Sequence, residues 1–370
     1  MARKIWNWEK VEWPIFSYNE KDIAHLEHQF SQLTGTVIGA LKHFETEEKN
    51  NFLVELLSNE AMKTSEIEGE YLNRDSIQSS IKNSLGLTTD RRKVPPAEYG
   101  ISEMMVALYQ NYDTPLTHEE LFHWHKLITN GRRDLTDIGR YRTHEDPIQV
   151  VSGRLDRPTV HFEAPPSEIV PEEMDNFMIW FNKAHQSTEI LPLARAGLVH
   201  LYFVCIHPFE DGNGRIARAL TEKSLGVSIG QPALISLSKT IESNRNAYYK
   251  ALEANNKFLE VTDWLHYFGQ TIIQAQKETL KTIDFIIEKA KFYDRFASKM
   301  NLRQAKVVKR LFEAGPTGFI AGLSADNYTK IAKTSASTAT RDLGDLVGKG
   351  ILIKTGELKG TRYWLQLKQS

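Results

Sequence analysis

A dense apolar stretch that runs directly into a proline constrains this 370-residue chain more than any other feature. The stretch is too dense in apolar residues for a surface helix and lacks the Gly and Pro that separate paired strands, so we predict a buried helix. These residues are Leu198, Leu201, Tyr202, Val204 and Cys205. Because a proline disfavours helical geometry at the residue before it, Pro208 should end this helix at His207. The sequence therefore places an imidazole at a rigid helix terminus, facing a polar loop.

The loop after this helix has the composition of an anion-binding site. Gly212 and Gly214 can take positive φ and leave backbone N–H groups pointing inward, ahead of a second helix that should begin near Arg215. Arg215 and Arg218 are three residues apart and share one face of that helix. Because two guanidinium groups beside such a loop suit a polyphosphate, the pattern predicts phosphate-transfer chemistry on a nucleotide.

Two more side chains supply what that chemistry needs. Asp211 offers a hard oxygen ligand, and Mg²⁺ commonly takes one or two protein carboxylates with phosphates and water in the rest of its shell. His207 stands where a general base could remove a hydroxyl proton. A histidine at a helix end beside two arginines is otherwise a solvated or core-packed group, so the interpretation depends on the complete loop.

The loop and its flanks resemble the Fic (Fido) signature HxFx(D/E)GNGRxxR at every fixed position, since residues 207–218 read HPFEDGNGRIAR. The resemblance implies a mainly α fold, a Fic-type helical core with a β-hairpin flap, that moves AMP from ATP onto a Ser, Thr or Tyr hydroxyl of a target protein or of the chain itself. It implies His207 as the base, Asp211 as the Mg²⁺ ligand, the two arginines as a phosphate clamp and the glycines with Asn213 as an anion hole. The implied nucleotide-binding stretch is Asp211, Gly212, Asn213, Gly214, Arg215, Ile216, Ala217 and Arg218.

A helix predicted at about residues 47–69 carries a second motif. Thr64 and Glu68 are four residues apart on one helix face, and Gly69 supplies a stop. A carboxylate near a helix C-terminus faces an already negative dipole, so Glu68 requires a cation or solvent. TSEIEG resembles the inhibitory motif (S/T)xxxE(G/N) of Fic proteins, which implies that Glu68 pairs with Arg218 and blocks the productive γ-phosphate position. In some members that glutamate orients a water that removes AMP, so a reversible enzyme stays open.

Residues 148–162 change from a helical period to strand-forming residues and predict a hairpin. Turn character lies at residues 152–153 and 156–157. The hairpin resembles the Fic flap, which implies that it covers the nucleotide and takes a target segment as an added strand; a purely structural hairpin is the alternative. The flap residues expected nearest the nucleotide are Val150, Val151, Ser152 and Gly153.

Residues 243–252, SNRNAYYKAL, resemble the RxxYY helix that forms one wall of the family's adenine pocket. Tyr248 and Tyr249 are candidates for stacking on the base, although adjacent helical residues cannot both face it. Asn256 is a further candidate in the same wall.

Composition and charge limit which other kinds of site and partner this chain can have. A net charge of −1 gives no global attraction to nucleic acid or membrane. The single cysteine, Cys205, excludes an intramolecular disulfide and a multi-cysteine zinc site. No apolar run approaches about 18 residues and the N-terminal residues lack a signal-peptide core, so we expect a cytoplasmic protein without a membrane partner.

The C-terminal residues 301–370 predict three helices and a two-stranded wing, a small winged helix-turn-helix domain. They hold 12 Lys and Arg against 5 Asp and Glu, a local charge of +7, which suits DNA backbone contact. Protein contact and homodimerisation are the alternatives for this domain. The expected division is an N-terminal helical region at 1–100, a catalytic core at 101–290 and the winged helix at 301–370. The alternative to an adenylyltransferase is a nucleotide-sensing, DNA-binding transcription regulator.

Overall fold

The computed structural model describes residues 5–88, 93–154, 157–184, 190–315, 319 and 321–367. It is mainly α-helical, as the sequence predicts, and it separates into two compact units. One comprises Met1–Lys42 with Leu56–Thr279, and the other comprises His43–Glu55 with Leu280–Ser370. These units do not follow the domain bounds expected from the sequence, and those bounds stay a prediction.

The larger unit contains most of the helices and one hairpin. Its elements are α1 (Glu20–Lys42), α3 (Arg74–Ser84), α4 (Pro96–Gln110), α5 (His118–Ile128), β1 (Gln149–Arg154), β2 (Arg157–Glu163), α6 (Val170–Ala184), α7 (Pro192–Ile206), α8 (Asn213–Ile229), α9 (Leu237–Ser243) and α10 (Arg245–Asn255). Two helices have residues in both units: α2 (Thr46–Ile67) and α11 (Thr262–Phe296).

The helix predicted from the apolar stretch, α7, lies at the centre of the larger unit. It is buried along almost its whole length, packs along α8, and contributes to a core that also contains residues of α1 and α11. Pro192 occupies the first turn of α7, where no intrahelical donor is lost. The Glu27 carboxylate accepts the backbone N–H groups of Leu193 at 3.2 Å and Ala194 at 2.9 Å. This buried carboxylate thus pairs two of the first backbone N–H groups of the helix.

The end of α7 follows the prediction from Pro208. The last helical residue is Ile206, and His207 adopts a left-handed conformation with φ of 53°. The next helix, α8, begins at Asn213, two residues before the expected start at Arg215, because Gly212 supplies a positive φ of 82° that lets the chain turn directly into the helix.

The predicted hairpin is present as an antiparallel pair. Ser152 lies opposite Thr159, and the register is irregular between Val150 and Val151. The expectation of a turn at residues 152–153 is wrong, because both belong to β1. Leu155 and Asp156, which connect the strands, lie outside the described residues.

The N-terminal aromatic segment docks on α7 and the hairpin. Trp13 meets Tyr202 edge to face at 5.1 Å between ring centroids, and Trp6 meets Phe162 at 5.5 Å. Cys205 is buried beneath this segment and accepts a hydrogen bond from Asn7 Nδ2 at 3.1 Å. Burial raises the pKa of the Cys205 thiol to about 12, so this residue packs and does not act as a nucleophile.

The smaller unit has a separate core built from the C-terminal elements. These are α12 (Leu302–Glu313), α13 (Ala325–Ala332), α14 (Ala336–Gly348), β3 (Leu352–Thr355) and β4 (Arg362–Leu365). Buried Asp342 on α14 accepts from Arg303 Nε at 3.0 Å and from the Tyr328 hydroxyl at 3.0 Å, which joins the three helices. Three helices followed by an antiparallel hairpin is the predicted order, and the winged-helix assignment itself stays a prediction.

In the described part of the chain, no helix combines the length and the apolar content needed to cross a membrane.

Candidate functional site

The structure places His207 at the mouth of the loop, half-buried. Its Nδ1 lies 3.3 Å from the carbonyl oxygen of Val204. Because a carbonyl can only accept, Nδ1 donates this hydrogen bond and Nε2 keeps its lone pair. Burial and the nearby Arg142 guanidinium lower the pKa of His207 to about 4. The imidazole is therefore neutral at physiological pH and can accept a proton.

A second histidine, His125, packs against the loop and bonds its backbone, a role that the sequence does not predict. His125 on α5 stacks on Phe209 with centroids 4.3 Å apart. Its Nδ1 accepts the Gly139 N–H at 2.9 Å, so its Nε2 donates to the Asp211 carbonyl at 3.2 Å. Burial lowers the pKa of His125 to about 4, which keeps it in this neutral form.

Asn213 closes the loop with its side chain. Its Oδ1 accepts the Phe209 N–H at 3.0 Å, and its Nδ2 donates to the Phe209 carbonyl at 2.7 Å. Gly212 is required beside it, because a Cβ there would lie 2.5 Å from Ile128 Cδ1 in addition to the positive φ. The Asn213 amide is thus occupied, and the first backbone N–H groups of α8 are the donors that remain for an anion.

A carboxylate from the same chain lies at the N-terminus of α8. Glu68 Oε1 accepts from Arg218 Nη2 at 2.7 Å, and a Cβ on Gly214 would come within 2.4 Å of that same oxygen. Arg218 also donates from Nε to Thr64 Oγ1 at 2.8 Å and from Nη2 to the Thr64 carbonyl at 3.0 Å. Glu68 therefore marks an anion position between Gly214 and Arg218.

The buried Arg218 guanidinium is paired with this carboxylate. Its side chain is only 1% exposed, and its Nη1 has no hydrogen-bond partner among the described residues. Burial alone would lower the pKa of Arg218, but Glu68 together with Tyr248 and Tyr249 outweighs burial, so that pKa is raised. The buried guanidinium stays charged and requires an anion beside it.

Asp211 and Arg215 belong to a second ion-pair network. Arg132 Nη1 donates to Asp211 Oδ2 at 2.6 Å, and Arg215 Nη1 donates to Glu70 Oε2 at 2.6 Å. Asp211 Oδ1 also accepts the N–H of Gly212 at 2.6 Å. Although burial opposes it, the Arg215 guanidinium, the Gly212 N–H and Arg132 lower the pKa of Asp211, so this carboxylate is ionised.

The hairpin presents its residues near the C-terminal part of α10. Val151 is 50% exposed, and Ser152 Oγ lies 2.6 Å from His161 Nε2 across the strand pair. His161 Nδ1 lies 2.8 Å from Glu253 of α10. Val150 and Gly153 lie on the same strand, β1.

The candidates for the adenine wall separate into buried and exposed groups. Tyr248 is buried, and its hydroxyl lies 2.7 Å from His200 Nε2, whereas Tyr249 is partly exposed with its hydroxyl 3.5 Å from Glu68 Oε2. Asn256 is buried and donates to the carbonyl of His161 at 3.0 Å. Of the remaining stretch, Ile216 and Ala217 are fully buried.

Four residues of the site are not predicted from the sequence: Glu70, His125, Arg132 and Arg142. Of these four, only Glu70 lies near a motif that the sequence identifies, because it follows Glu68 by two residues. The others lie on segments far from the signature in sequence, and no spacing rule links them to it.

Comparisons with known proteins identify the family that part of this chain matches. Residues 115–225 match the family model described as Fic/DOC family, and residues 6–87 match a domain of unknown function, DUF4172. The chain is 30% identical over 138 residues to "Protein adenylyltransferase fic-1" of Caenorhabditis elegans, which covers 37% of this chain and 24% of that protein. It is 36% identical over 118 residues to "Protein adenylyltransferase Fic" of Drosophila yakuba, which covers 31% of this chain and 22% of that protein.

Solved structures show the same fold. A Fic family protein from Desulfovibrio desulfuricans G20 matches with a TM-score of 0.55 at 20% identity, over 96% of this chain and 99% of that one. A Fic domain containing signaling protein from Bacteroides thetaiotaomicron matches with a TM-score of 0.50 at 20% identity, over 71% of this chain and 97% of that one.

The alignments with the two curated relatives span about a quarter of those proteins' length. The signature at residues 207–218 lies inside the family match, so residues 115–225 carry a Fic/DOC domain, and part of the chain is homologous to proteins named protein adenylyltransferases.

Proposed function

We propose that this chain is a protein adenylyltransferase that moves AMP from ATP to a Ser, Thr or Tyr hydroxyl of a target protein or of itself. The observation that carries the proposal is the Glu68 carboxylate at the start of α8, between Gly214 and Arg218. It marks an anion position beside a neutral imidazole, His207. An anion position next to a proton acceptor is what phosphoryl-type transfer to a hydroxyl requires.

Mg²⁺ fits the donor set around this position. The described residues contain no group of three or more His, Cys, Asp or Glu side chains suited to a metal, but Mg²⁺ bound to a nucleotide commonly takes a single protein carboxylate. Asp211 is ionised and would hold it, with phosphate oxygens and water as the other ligands. When bound, the ion would neutralise charge on the leaving pyrophosphate.

The reaction is a displacement at the α-phosphorus. His207 Nε2 takes the proton of the target hydroxyl, whose oxygen forms a bond to the α-phosphorus while the bond to the β-phosphate oxygen breaks. AMP then remains on the target and pyrophosphate leaves. Arg215, Arg218 and the N-terminus of α8 hold the departing phosphates, so positioning and charge stabilisation supply most of the catalysis.

Glu68 restrains this reaction in the proposal. Its carboxylate and a γ-phosphate would compete for Arg218 and for the space above Gly214, where a single Cβ would already collide. ATP binds productively only after Glu68 leaves. The same carboxylate could orient a water for removal of AMP, and incubation of pre-adenylylated chain with the parent and Glu68→Gln proteins would measure that activity.

The test is incorporation of label from ATP by the full chain. Glu68→Gly should become labelled by ATP carrying ³²P at the α-position and not by ATP labelled at the γ-position. His207→Ala in the same background should abolish labelling, while His123→Ala, an exposed histidine on α5, should preserve it. Equal labelling in the parent and in Glu68→Gly would refute the restraint, and labelling that persists without His207 would refute its role as base.

A second candidate function is DNA binding by the C-terminal residues. On α14 the side chains of Ala339, Leu343 and Leu346 are buried, whereas Thr340 and Arg341 are exposed. An exposed polar helix face on a domain with a local charge of +7 favours contact with a polyanion.

Fluorescence anisotropy with a labelled duplex tests this candidate. Arg341→Ala should weaken binding and reduce its salt dependence, while Lys309→Ala on α12 serves as a charge-matched control. Equal affinity of both variants, or no binding at low salt, would leave residues 301–370 to protein contact.

A further inference from the structure

The carboxylate of Glu70 lies between two guanidinium groups. Its Oε2 accepts from Arg215 Nη1 at 2.6 Å, and its Oε1 lies 3.7 Å from Arg132 Nη1. Gly69, with φ of 87°, separates it from Glu68 and turns the chain so that two successive carboxylates reach different arginines. Glu68 faces Arg218, and Glu70 faces Arg215.

This arrangement has the geometry of a small anion site. The Arg215 side chain is 2% exposed, and its described acceptors other than Glu70 are distant, with Asp211 Oδ2 at 3.5 Å and the Ile128 carbonyl at 3.4 Å. Two guanidinium groups converging on one carboxylate present the donors that a phosphate group also accepts. Glu70 therefore occupies a position that an oxyanion of similar size fits.

Arg132 is also placed to respond to the metal. Its Nη1 donates to Asp211 Oδ2, the carboxylate proposed to hold Mg²⁺, while its Nε and Nη2 bind Asp134 at 2.8 and 2.6 Å. A metal ion on Asp211 would compete with Arg132 Nη1 for the same oxygen. The bidentate contact with Asp134 would keep the guanidinium nearby, so the released donor could turn to a phosphate.

We propose that Arg132 and Arg215 form an anion subsite that binds a phosphate group of the leaving pyrophosphate, and that Glu70 occupies this subsite in the resting chain. The identity of the anion rests on the proposed function. Arg132 then becomes a phosphate-binding residue outside the signature, and Glu68-Gly69-Glu70 covers both arginines of the clamp. Removing Glu68 alone leaves the second carboxylate for the nucleotide to displace.

Calorimetric titration of the full chain with Mg²⁺-pyrophosphate and with Mg²⁺-ATP tests the subsite. All variants carry His207→Ala, so no transfer takes place and binding is measured alone. Adding Glu70→Gln to Glu68→Gly should tighten pyrophosphate binding about tenfold, the effect of one charge-assisted contact. Adding Arg132→Ala to the variant with both glutamate substitutions should reverse this gain in pyrophosphate affinity. Arg132→Lys, which keeps the charge but not the planar guanidinium group, should reverse it in part.

Two matched controls sharpen the result. Glu66→Gln changes a glutamate four residues earlier that pairs with Lys63, and Arg133→Ala removes the neighbouring exposed arginine. Both should leave pyrophosphate affinity unchanged. The proposal is overturned if Glu70→Gln has no effect, or if Arg132→Ala and Arg132→Lys both match Arg133→Ala. Because pyrophosphate binding needs no AMP transfer, a failure of the adenylyltransferase proposal would appear separately, as absent labelling with the subsite intact.

Discussion

Replacing Glu68 by alanine should destabilise the larger unit, and bound nucleotide should restore most of the lost stability. The substitution leaves the Arg218 guanidinium charged, 1% exposed and without its carboxylate. Breaking a buried ion pair typically costs ~3–5 kcal/mol. Two contacts to Thr64 remain and Glu68 is 26% exposed, which places the expected loss near the lower end, about 3 kcal/mol.

Thermal unfolding with and without Mg²⁺-ATP measures both parts of this prediction. A loss of about 3 kcal/mol corresponds to a fall in Tm of roughly 6–12 °C for a unit of this size. Ligand at about a hundredfold its Kd restores ~2.7 kcal/mol, so Mg²⁺-ATP should recover most of the lost Tm. In the parent chain the nucleotide must first displace Glu68, and its Tm should rise less.

Glu66→Ala is the control, because Glu66 pairs with the half-buried Lys63 near the surface and its loss should cost at most ~1 kcal/mol. An unchanged Tm in Glu68→Ala would contradict the claim that Arg218 depends on this carboxylate. An equal response to Mg²⁺-ATP in both proteins would contradict competition between Glu68 and the nucleotide.

The remaining predictions concern the loop and its base. In a Glu68→Gly background, Gly214→Ala should abolish labelling, because the new Cβ fills the anion position. The same variant should raise Tm slightly, since Ala is favoured over Gly in a helix by up to ~1 kcal/mol. Loss of labelling together with a lower Tm would contradict this prediction. Because burial lowers the pKa of His207 to about 4, this base stays neutral well below pH 6. As the pH is lowered, the initial labelling rate should therefore fall only towards pH 4–5. A fall in the labelling rate centred near pH 6.5 would contradict this prediction. Asn213→Ala leaves both backbone groups of Phe209 unpaired and should cost about 2–4 kcal/mol in urea unfolding, with labelling lost. Asn213→Asp should restore only the bond from the Phe209 N–H.

The local features of the site follow from neighbouring residues alone. Pro208 determines where α7 ends, because its ring restricts the residue before it. Gly212 supplies the positive φ that other residues rarely adopt, and the three-residue spacing of Arg215 and Arg218 follows from the helical period. These are interactions within a few residues of chain, so the sequence predicts them directly.

Tertiary packing decided what each charged group contacts. Glu70 meets Arg215 across 145 residues and Arg132 meets Asp211 across 79, distances at which no helical or strand period relates one position to another. Asn213 was expected in an anion hole, but its amide bonds the backbone of Phe209, four residues earlier in the loop. Tyr248 and Tyr249 are indistinguishable in the sequence, and only burial against His200 separates them.

The sequence by itself therefore determined the turn and the positions of the imidazole and the two arginines, because backbone sterics and helical periodicity act locally. Only the tertiary structure decided that two carboxylates of one short segment occupy those arginines. Ion pairing depends on distance in space and on the exclusion of water, and neither can be read from spacing along the chain.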